Sequence, residues 1–175
     1  MAAILIVYST TDGHTRKICE RLRTLIEGQG HEVSLAAIDD AGALDLRRFD
    51  KFVVGASIRY GRHRPSVLAF VNDHERVLSA KPNAFFSVNI VARKPDKNQP
   101  ESNPYVRKFL QQVRWRPRLL DVFAGKLDYP RYGVADRLVI RFIMWITHGP
   151  TDPTAVVEFT DWQRVDAFAR RVAAL

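Results

Sequence analysis

Hydroxyl side chains are concentrated directly after the first apolar run of the chain, residues 4–8. This segment, called the phosphate loop below, comprises Ser9, Thr10, Thr11, Asp12, Gly13, His14 and Thr15. A helix that starts here leaves its first N–H groups unpaired and its dipole positive at this end, so it can hold a phosphate without a lysine. Hydroxyl groups add further donors. The segment predicts either a phosphate site or an ordinary polar turn with a good helix cap.

Two widespread nucleotide-binding motifs are absent from this loop. Neither the dinucleotide fingerprint G-x-G-x-x-G nor the triphosphate-binding pattern G-x-x-x-x-G-K-S/T is present. If the loop binds a phosphate, we therefore expect it to be that of a mononucleotide.

The elements that would position this loop alternate between strand-like and helix-like patterns. Strand-like runs lie at about residues 3–8, 31–37, 51–56, 83–88 and 119–124, and helix-like runs at about 14–27, 65–78 and 105–113. A last helix begins at residues 160–163, where Thr160 and Gln163 have the spacing of a capping box. The pattern predicts one α/β domain over residues 1–175, a doubly wound, five-stranded parallel sheet of order 2-1-3-4-5 with an apolar helical insertion after strand five.

In a doubly wound sheet the ligand crevice lies at the carboxyl ends of the strands, where the strand order reverses. Three segments should therefore meet: the phosphate loop, the turn of residues 57–61, and the segment that begins at residue 87.

The composition is that of a globular chain without disulfide or metal chemistry. It has 175 residues, 46% of them hydrophobic, which is enough for a substantial core. Cys19 is the single cysteine and falls in line with Leu22 and Ile26, so we expect a buried, unreactive thiol. The histidines lack the spacing of metal ligands, so we expect no metal. No export signal precedes the first strand, and we expect a cytoplasmic protein.

An excess of positive charge restricts the partners of this chain. It has 27 Lys and Arg against 19 Asp and Glu, a net charge of +8. A basic surface suits nucleic acid, an anionic membrane or an acidic substrate. Nucleic acid is disfavoured, because the arginines are scattered among apolar and proline positions without an aromatic RNA-binding motif or a recognition helix.

Residues 133–148 form a broad apolar surface. The segment is too short to cross a bilayer, which needs about 20 apolar residues, and Arg141 interrupts it. Arg137 and Arg141 share one narrow stripe at i, i+4. The segment predicts a helix packed on the sheet or on a partner, or one lying in the membrane interface with its arginines at headgroup level and Trp145 at the boundary.

Two resemblances add to these predictions. Residues 10–15 are similar to the T-x-T-G-x-T phosphate loop of flavodoxins, which bind FMN; Asp12 departs from that pattern, and we expect it to turn away and cap local N–H groups. Over nearly the whole chain, several runs resemble the bacterial quinone-linked protoporphyrinogen IX dehydrogenase family. These runs are residues 55–61, 87–89, 91–95, 107–110, 115–117 and 129–132. Flavodoxins that act as soluble carriers are strongly acidic, unlike this chain.

The second resemblance implies a flavodoxin-like FMN enzyme of haem synthesis. Such an enzyme passes electrons from protoporphyrinogen IX to menaquinone or ubiquinone, and we expect it to lie peripherally at the cytoplasmic side of the inner membrane. The FMN phosphate would lie on the phosphate loop, and the flavin ring would contact Ser57, Ile58, Arg59, Tyr60, Gly61, Ser87, Val88, Asn89, Ile90, Val91 and Ala92. Basic residues at the same mouth could bind the two propionates, namely Arg59, Arg62, Arg93, Lys94 and Lys97.

A second function stays open at this point, that of a non-enzymatic FMN electron shuttle docking on a membrane or an acidic redox partner. Tyr60 either lies near the flavin or closes its loop against the core. The sequence names no general base, and it leaves open the preferred quinone, the substrate orientation and a homo-oligomeric state.

Overall fold

The computed structural model describes all residues, Met1–Leu175, as a parallel sheet between layers of helices. The strands are β1 Ala3–Ser9, β2 Glu32–Ala37, β3 Lys51–Arg59, β4 Arg62–His63, β5 Asn83–Asn89, β6 Leu119–Ala124, β7 Lys126–Asp128 and β8 Val156–Glu158. The helices are α1 His14–Glu27, α2 Ile38–Ala41, α3 Pro65–Asp73, α4 Glu75–Ala80, α5 Pro104–Gln112, α6 Val134–Ile146 and α7 Trp162–Ala174.

The main sheet has the parallel order β2-β1-β3-β5-β6, with β4 paired antiparallel to β3. This confirms the predicted doubly wound sheet, since the short strand β4 only shifts the numbering of the last two strands. The order reverses at β1, whose last residue, Ser9, pairs with Ala56 of β3. The carboxyl ends that carry the phosphate loop and the turn after β3 are therefore neighbours.

The strands are buried on both faces, so their side chains alternate between two cores. Ile4 and Ile6 of β1 pack with α1 and α7, whereas Leu5 and Val7 pack with α3 and α5. Cys19 is fully buried in the first of these cores, and burial raises the pKa of its thiol far above its ordinary value. The prediction of a buried cysteine is confirmed.

The turn after β3 differs from the prediction. The strand continues through Arg59, and only Tyr60 and Gly61 form the turn, both with positive φ, of 50° and 72°. A two-residue hairpin of this kind requires positive φ at both positions, because its twist must match that of the strands it joins. Residues 57–59 therefore belong to a strand rather than to an irregular loop.

The start of the last helix was predicted correctly, but its predicted capping box is wrong. The Asp161 carboxylate accepts hydrogen bonds from the N–H groups of Gln163 and Arg164 and caps α7. The Thr160 hydroxyl instead donates to the carbonyl oxygen of Ala124, because β6 lies within its reach.

A two-stranded ribbon of β7 and β8 carries α6 between its strands. This is the predicted apolar helical insertion after the last strand of the main sheet. It has a small core of its own, formed by Leu127, Tyr129, Tyr132 and Met144. The ribbon closes where the N–H of Phe159 donates to the carbonyl oxygen of Gly125 over 3.0 Å. The insertion therefore leaves and rejoins the main domain at adjacent points.

His63 lies buried between aromatic rings beside the hairpin. The rings of Phe85 and Phe109 are centred 5.7 and 5.4 Å from its ring, and its Nε2 is 3.0 Å from Ser87 Oγ. Burial lowers the pKa of His63 to about 4. The imidazole is therefore neutral at neutral pH.

We expect His63 to make the fold sensitive to mild acid. Between the unfolded-state pKa of about 6.5 and the folded-state pKa of about 4, the unfolded chain takes up a proton that the native chain does not. The contribution of the neutral imidazole to the free energy of unfolding is fully present above about pH 6.5. It decreases by up to about 1.4 kcal/mol per pH unit as the pH falls below this value. Below the folded-state pKa of about 4 it decreases no further. Urea unfolding between these pH values should show a shallower fall for His63→Gln than for the wild type, and parallel curves would contradict the shift.

Candidate functional site

A cleft of about 340 Å³ lies at the carboxyl ends of β1, β3 and β5. Most of the predicted site residues line it: Thr10, Thr11, Asp12, Gly13, His14, Thr15, Ser57, Ile58, Arg59, Val88, Asn89 and Ile90. Ser9 and Ser87 are buried outside its lining, and Tyr60, Gly61, Val91 and Ala92 do not line it either. The three predicted segments therefore meet, although not every residue of each reaches the cleft.

The phosphate loop presents the first turn of α1 to the cleft. Gly13 begins that turn in the left-handed conformation with φ 85°, which favours glycine, and its N–H donates to Thr10 Oγ1 over 3.0 Å. No side chain caps α1. The N–H groups at the start of this helix are therefore available to a ligand.

Two buried hydroxyl groups of the loop have no hydrogen-bond partner in the protein. They are Ser9 Oγ and Thr15 Oγ1, on residues that are each 1% exposed. Leaving a buried donor unpaired costs about 1–3 kcal/mol. Because Thr15 lines the cleft, an anion bound at the helix start would accept its hydrogen bond. The free N–H groups of α1 and the Thr15 hydroxyl are donors that fit a phosphate.

Asp12 does not cap the local backbone, contrary to the prediction. Its Oδ1 lies 3.6 Å from NH1 of Arg59, which reaches over from β3. The guanidinium offsets a carboxylate that would otherwise repel a phosphate in the same loop.

Arg59 also bonds to α6. Its guanidinium donates to the carboxylate of Asp136, and the hydroxyl of Tyr60 donates to the same carboxylate. The Tyr60 side chain is otherwise exposed, and the Arg59 guanidinium lies 5.3 Å from its ring centre. Tyr60 thus neither packs in the core nor lines the cleft, and it fastens the hairpin to the insertion.

Most of the predicted basic residues do not line the cleft. Of the five residues only Arg59 lines the cleft, while Arg62, Arg93, Lys94 and Lys97 do not. Arg93 donates to the carbonyl oxygen of Ile90 and to both oxygens of Thr147. These bonds use its guanidinium within the protein and join the loop after β5 to Thr147 at the end of α6, so the structure does not place Arg93 with the other residues of the cleft.

Several lining residues were not predicted: Lys17, Gly125, Lys126, Asp128, Arg131 and Tyr132. Lys17 lies one helical turn after Gly13, so helical periodicity could have indicated it. Arg131 and Tyr132 belong to a run that carried the family resemblance, but the sequence does not show that the insertion folds back on the cleft.

Asn89 fixes the loop after β5, which forms one wall of the cleft. Its Oδ1 accepts hydrogen bonds from the N–H of Ala92 and from the amide of Asn103, and its Nδ2 donates to Ser87 Oγ. Both asparagines are buried, and Asn103 also caps α5. This wall is therefore held by the interior of the protein.

Helix α6 directs its polar stripe towards the protein. Arg137 donates to the carbonyl oxygen of Tyr132, Arg141 donates to that of Thr151, and Met144 is buried. The opposite face is exposed and apolar, with Val134, Leu138, Val139, Phe142, Ile143, Trp145 and Ile146. The reading in which the apolar surface packs on the sheet is therefore wrong. None of the helices combines the length and the apolar character needed to span a membrane.

Removing the carboxylate of Asp136 should loosen the start of α6. Asp136→Ala leaves the Tyr60 hydroxyl without its partner, so the first amides of α6 should exchange with solvent faster, while the free energy of unfolding falls by only about 1 kcal/mol. Asp136→Asn retains an acceptor oxygen and should show intermediate exchange. Hydrogen–deuterium exchange measures this, and equal exchange in all three proteins would contradict the anchoring role.

Known proteins match this chain over most of its length. The model of the flavodoxin domain family matches residues 5–154. A Leishmania major protein named protoporphyrinogen IX dehydrogenase (quinone) is 46% identical over 172 residues, which are 98% of this chain and 74% of that one. A protein of the same name from Escherichia coli strain K12 is 43% identical over 171 residues, 98% of this chain and 94% of that one.

Solved structures share the fold at low sequence identity. Oxidised flavodoxin 1 from Bacillus cereus has a TM-score of 0.58 and 15% identity, covering 98% of this chain and 97% of that one. The flavodoxin of Streptococcus pneumonia TIGR4 has a TM-score of 0.57 and 14% identity, covering 99% of each. These likenesses concern the fold alone.

Proposed function

The chain belongs to the flavodoxin domain family, and we propose that it is an FMN enzyme that oxidises protoporphyrinogen IX to protoporphyrin IX in haem synthesis. Its electrons would pass to a membrane quinone, menaquinone or ubiquinone. Relatives 46% and 43% identical over 98% of the chain are named for this activity. The observation that carries the cofactor assignment is the uncapped start of α1 beside the unpaired hydroxyl of Thr15.

The phosphate loop would hold the FMN phosphate mainly with neutral donors. The side chain of His14 lies in the same loop, and burial lowers the pKa of its imidazole. Its Nε2 is 2.7 Å from Thr160 Oγ1. A neutral imidazole adds no charge, so the N–H groups of α1 and the hydroxyls of Thr10 and Thr15 would carry phosphate binding.

The carboxyl ends of β3 and β5 would position the flavin ring. Ser57 and Ile58 lie on one wall of the cleft, and Val88 and Asn89 on another. FMN supplies two-electron redox chemistry when bound, and the protein supplies its position and surroundings. Because Asn89 is held by buried hydrogen bonds, we expect this wall to keep its shape when a ligand enters.

Thr15→Ala should weaken FMN binding by about 10- to 100-fold, because it removes one hydrogen bond to a charged phosphate worth about 1.5–3 kcal/mol. Riboflavin, which lacks the phosphate, should bind the variant and the wild type equally. Flavin fluorescence titration measures both ligands. Thr24→Ala is a matched control, since the Thr24 hydroxyl on the same helix bonds only to the carbonyl oxygen of Glu20. An equal change for the two flavins would contradict the assignment of Thr15.

A turnover assay separates the enzyme from an electron shuttle. The purified, FMN-loaded protein should oxidise protoporphyrinogen IX with a quinone present and no other protein. A shuttle would show no turnover without its redox partner, and that result would overturn the proposed activity.

We also propose that the exposed apolar face of α6 lies in the interface of the inner membrane. The rings of Phe142 and Trp145 lie 6.2 Å apart on that face. The net charge of +8 favours an anionic leaflet. Since Asp136 fastens α6 beside the cleft, this placement would bring the cleft within reach of a lipid-soluble quinone.

Replacing Phe142, Ile143 and Trp145 together by Ser should weaken liposome binding, because each of these side chains would contribute about 1.5–3 kcal/mol when it is buried in the lipid. Turnover should fall more with a long-tailed quinone than with a water-soluble one, and thermal stability should change little because these side chains are exposed. Met144→Ala, on the buried face, should instead lower stability and affect both quinones alike. An equal loss of turnover with both quinones in a folded triple variant would contradict the membrane role. If the wild type is a dimer in solution and the triple variant is a monomer, the apolar face instead contacts a second copy of the chain.

A further inference from the structure

Four basic side chains line the cleft: Lys17, Arg59, Lys126 and Arg131. Three of them are paired with carboxylates, Lys17 with Glu158, Lys126 with Asp128, and Arg59 with Asp12 and Asp136. Lys17 Nζ lies 3.1 Å from Glu158 Oε2, and Lys126 Nζ lies 3.2 Å from Asp128 Oδ2. Arg131 has no carboxylate within ion-pair distance. It is therefore the one cation of the cleft whose charge the protein leaves unpaired.

The backbone around Arg131 is held firmly although its side chain is exposed. Tyr129 and Tyr132 on either side are buried. The Tyr129 hydroxyl donates to the carbonyl oxygen of Pro150 over 2.6 Å, and the Tyr132 hydroxyl accepts from the N–H of Asp128 over 3.1 Å. These bonds fix the short turn that carries Arg131 against the small core of the insertion.

The guanidinium of Arg131 makes a single hydrogen bond in the protein. Its NH1 donates to the carbonyl oxygen of Asp12 over 3.3 Å. This bond connects Arg131 to the phosphate loop, which lines the same cleft, and leaves the other guanidinium N–H groups available. A planar guanidinium with free donors on a fixed turn suits two-point binding of a carboxylate.

We propose that Arg131 binds a propionate carboxylate of the tetrapyrrole, an inference that rests on the proposed function. The propionates project from the edge of the macrocycle, so they would meet a residue at the exposed mouth rather than one on the floor of the cleft. The phosphate end already has the N–H groups of α1 and the buried Thr15 hydroxyl. Arg131 would thus bind the carboxylate that the sequence analysis assigned to Arg93. The Arg93 guanidinium already donates to carbonyl and hydroxyl oxygens of the protein.

Binding of protoporphyrin IX, the stable product, tests this inference when it is compared with binding of its dimethyl ester. In FMN-loaded protein, Arg131→Gln should weaken binding of the free acid about 10-fold or more, because it removes a charged hydrogen-bonding partner. Binding of the ester, which has no carboxylate, should match that of the wild type. Arg131→Lys should restore part of the difference. Arg114→Gln, at an exposed arginine outside the cleft and without a carboxylate partner, should leave both ligands unaffected.

An equal change for the acid and the ester, or no change for either, would overturn the assignment. Weaker binding of FMN with unchanged binding of riboflavin would place Arg131 on the phosphate and would overturn it as well. Failure of the proposed function has a different signature, because the wild type itself would then neither bind protoporphyrin IX nor oxidise protoporphyrinogen IX. A wild type that does both, beside an Arg131→Gln variant that matches it, would refute only the role of Arg131.

Discussion

The guanidinium of Arg59 connects three parts of the structure that are distant in sequence. It lies beside Asp12 in the phosphate loop and bonds to Asp136 at the start of α6, while its own backbone belongs to the β3 hairpin. One charge therefore offsets the carboxylate of the phosphate loop and anchors the inserted helix. The position of α6 beside the cleft depends on this junction, because Asp12 and Arg59 line the cleft and Asp136 belongs to α6.

The sheet could be predicted from sequence because its signals are local. Apolar runs of strand length, the hydroxyl-rich turn and the helical spacing of Ile18 and Leu22 each act within one element, and a parallel sheet buried on both faces admits few topologies. The position of the phosphate loop before α1 followed from the same reasoning, since a strand that leads through a hydroxyl-rich turn into a helix is a local pattern.

The partners of charged and hydroxyl groups were harder to predict, because they depend on contacts between distant elements. Arg93 looks like a free cation in sequence, yet the carbonyl and hydroxyl oxygens of Thr147, at the end of α6, accept its hydrogen bonds. Thr160 has the spacing of a cap, but its hydroxyl meets β6 first. Asp12 meets Arg59 before it meets any local N–H group. Arg131 was missed because its place at the cleft depends on how the insertion folds back.

The hydrogen bond between Phe159 and Gly125 makes the insertion a structurally separable unit. Its ends are adjacent, its interior packs largely on itself, and neither core of the main sheet includes a residue from it. A chain that ran directly from Gly125 to Phe159 would keep the strand order and the phosphate loop, and it would lose Arg131 and the outward apolar face together. The presence or absence of this one unit therefore decides whether the same sheet carries a bare cleft or a cleft with an added wall and an exposed apolar surface beside it.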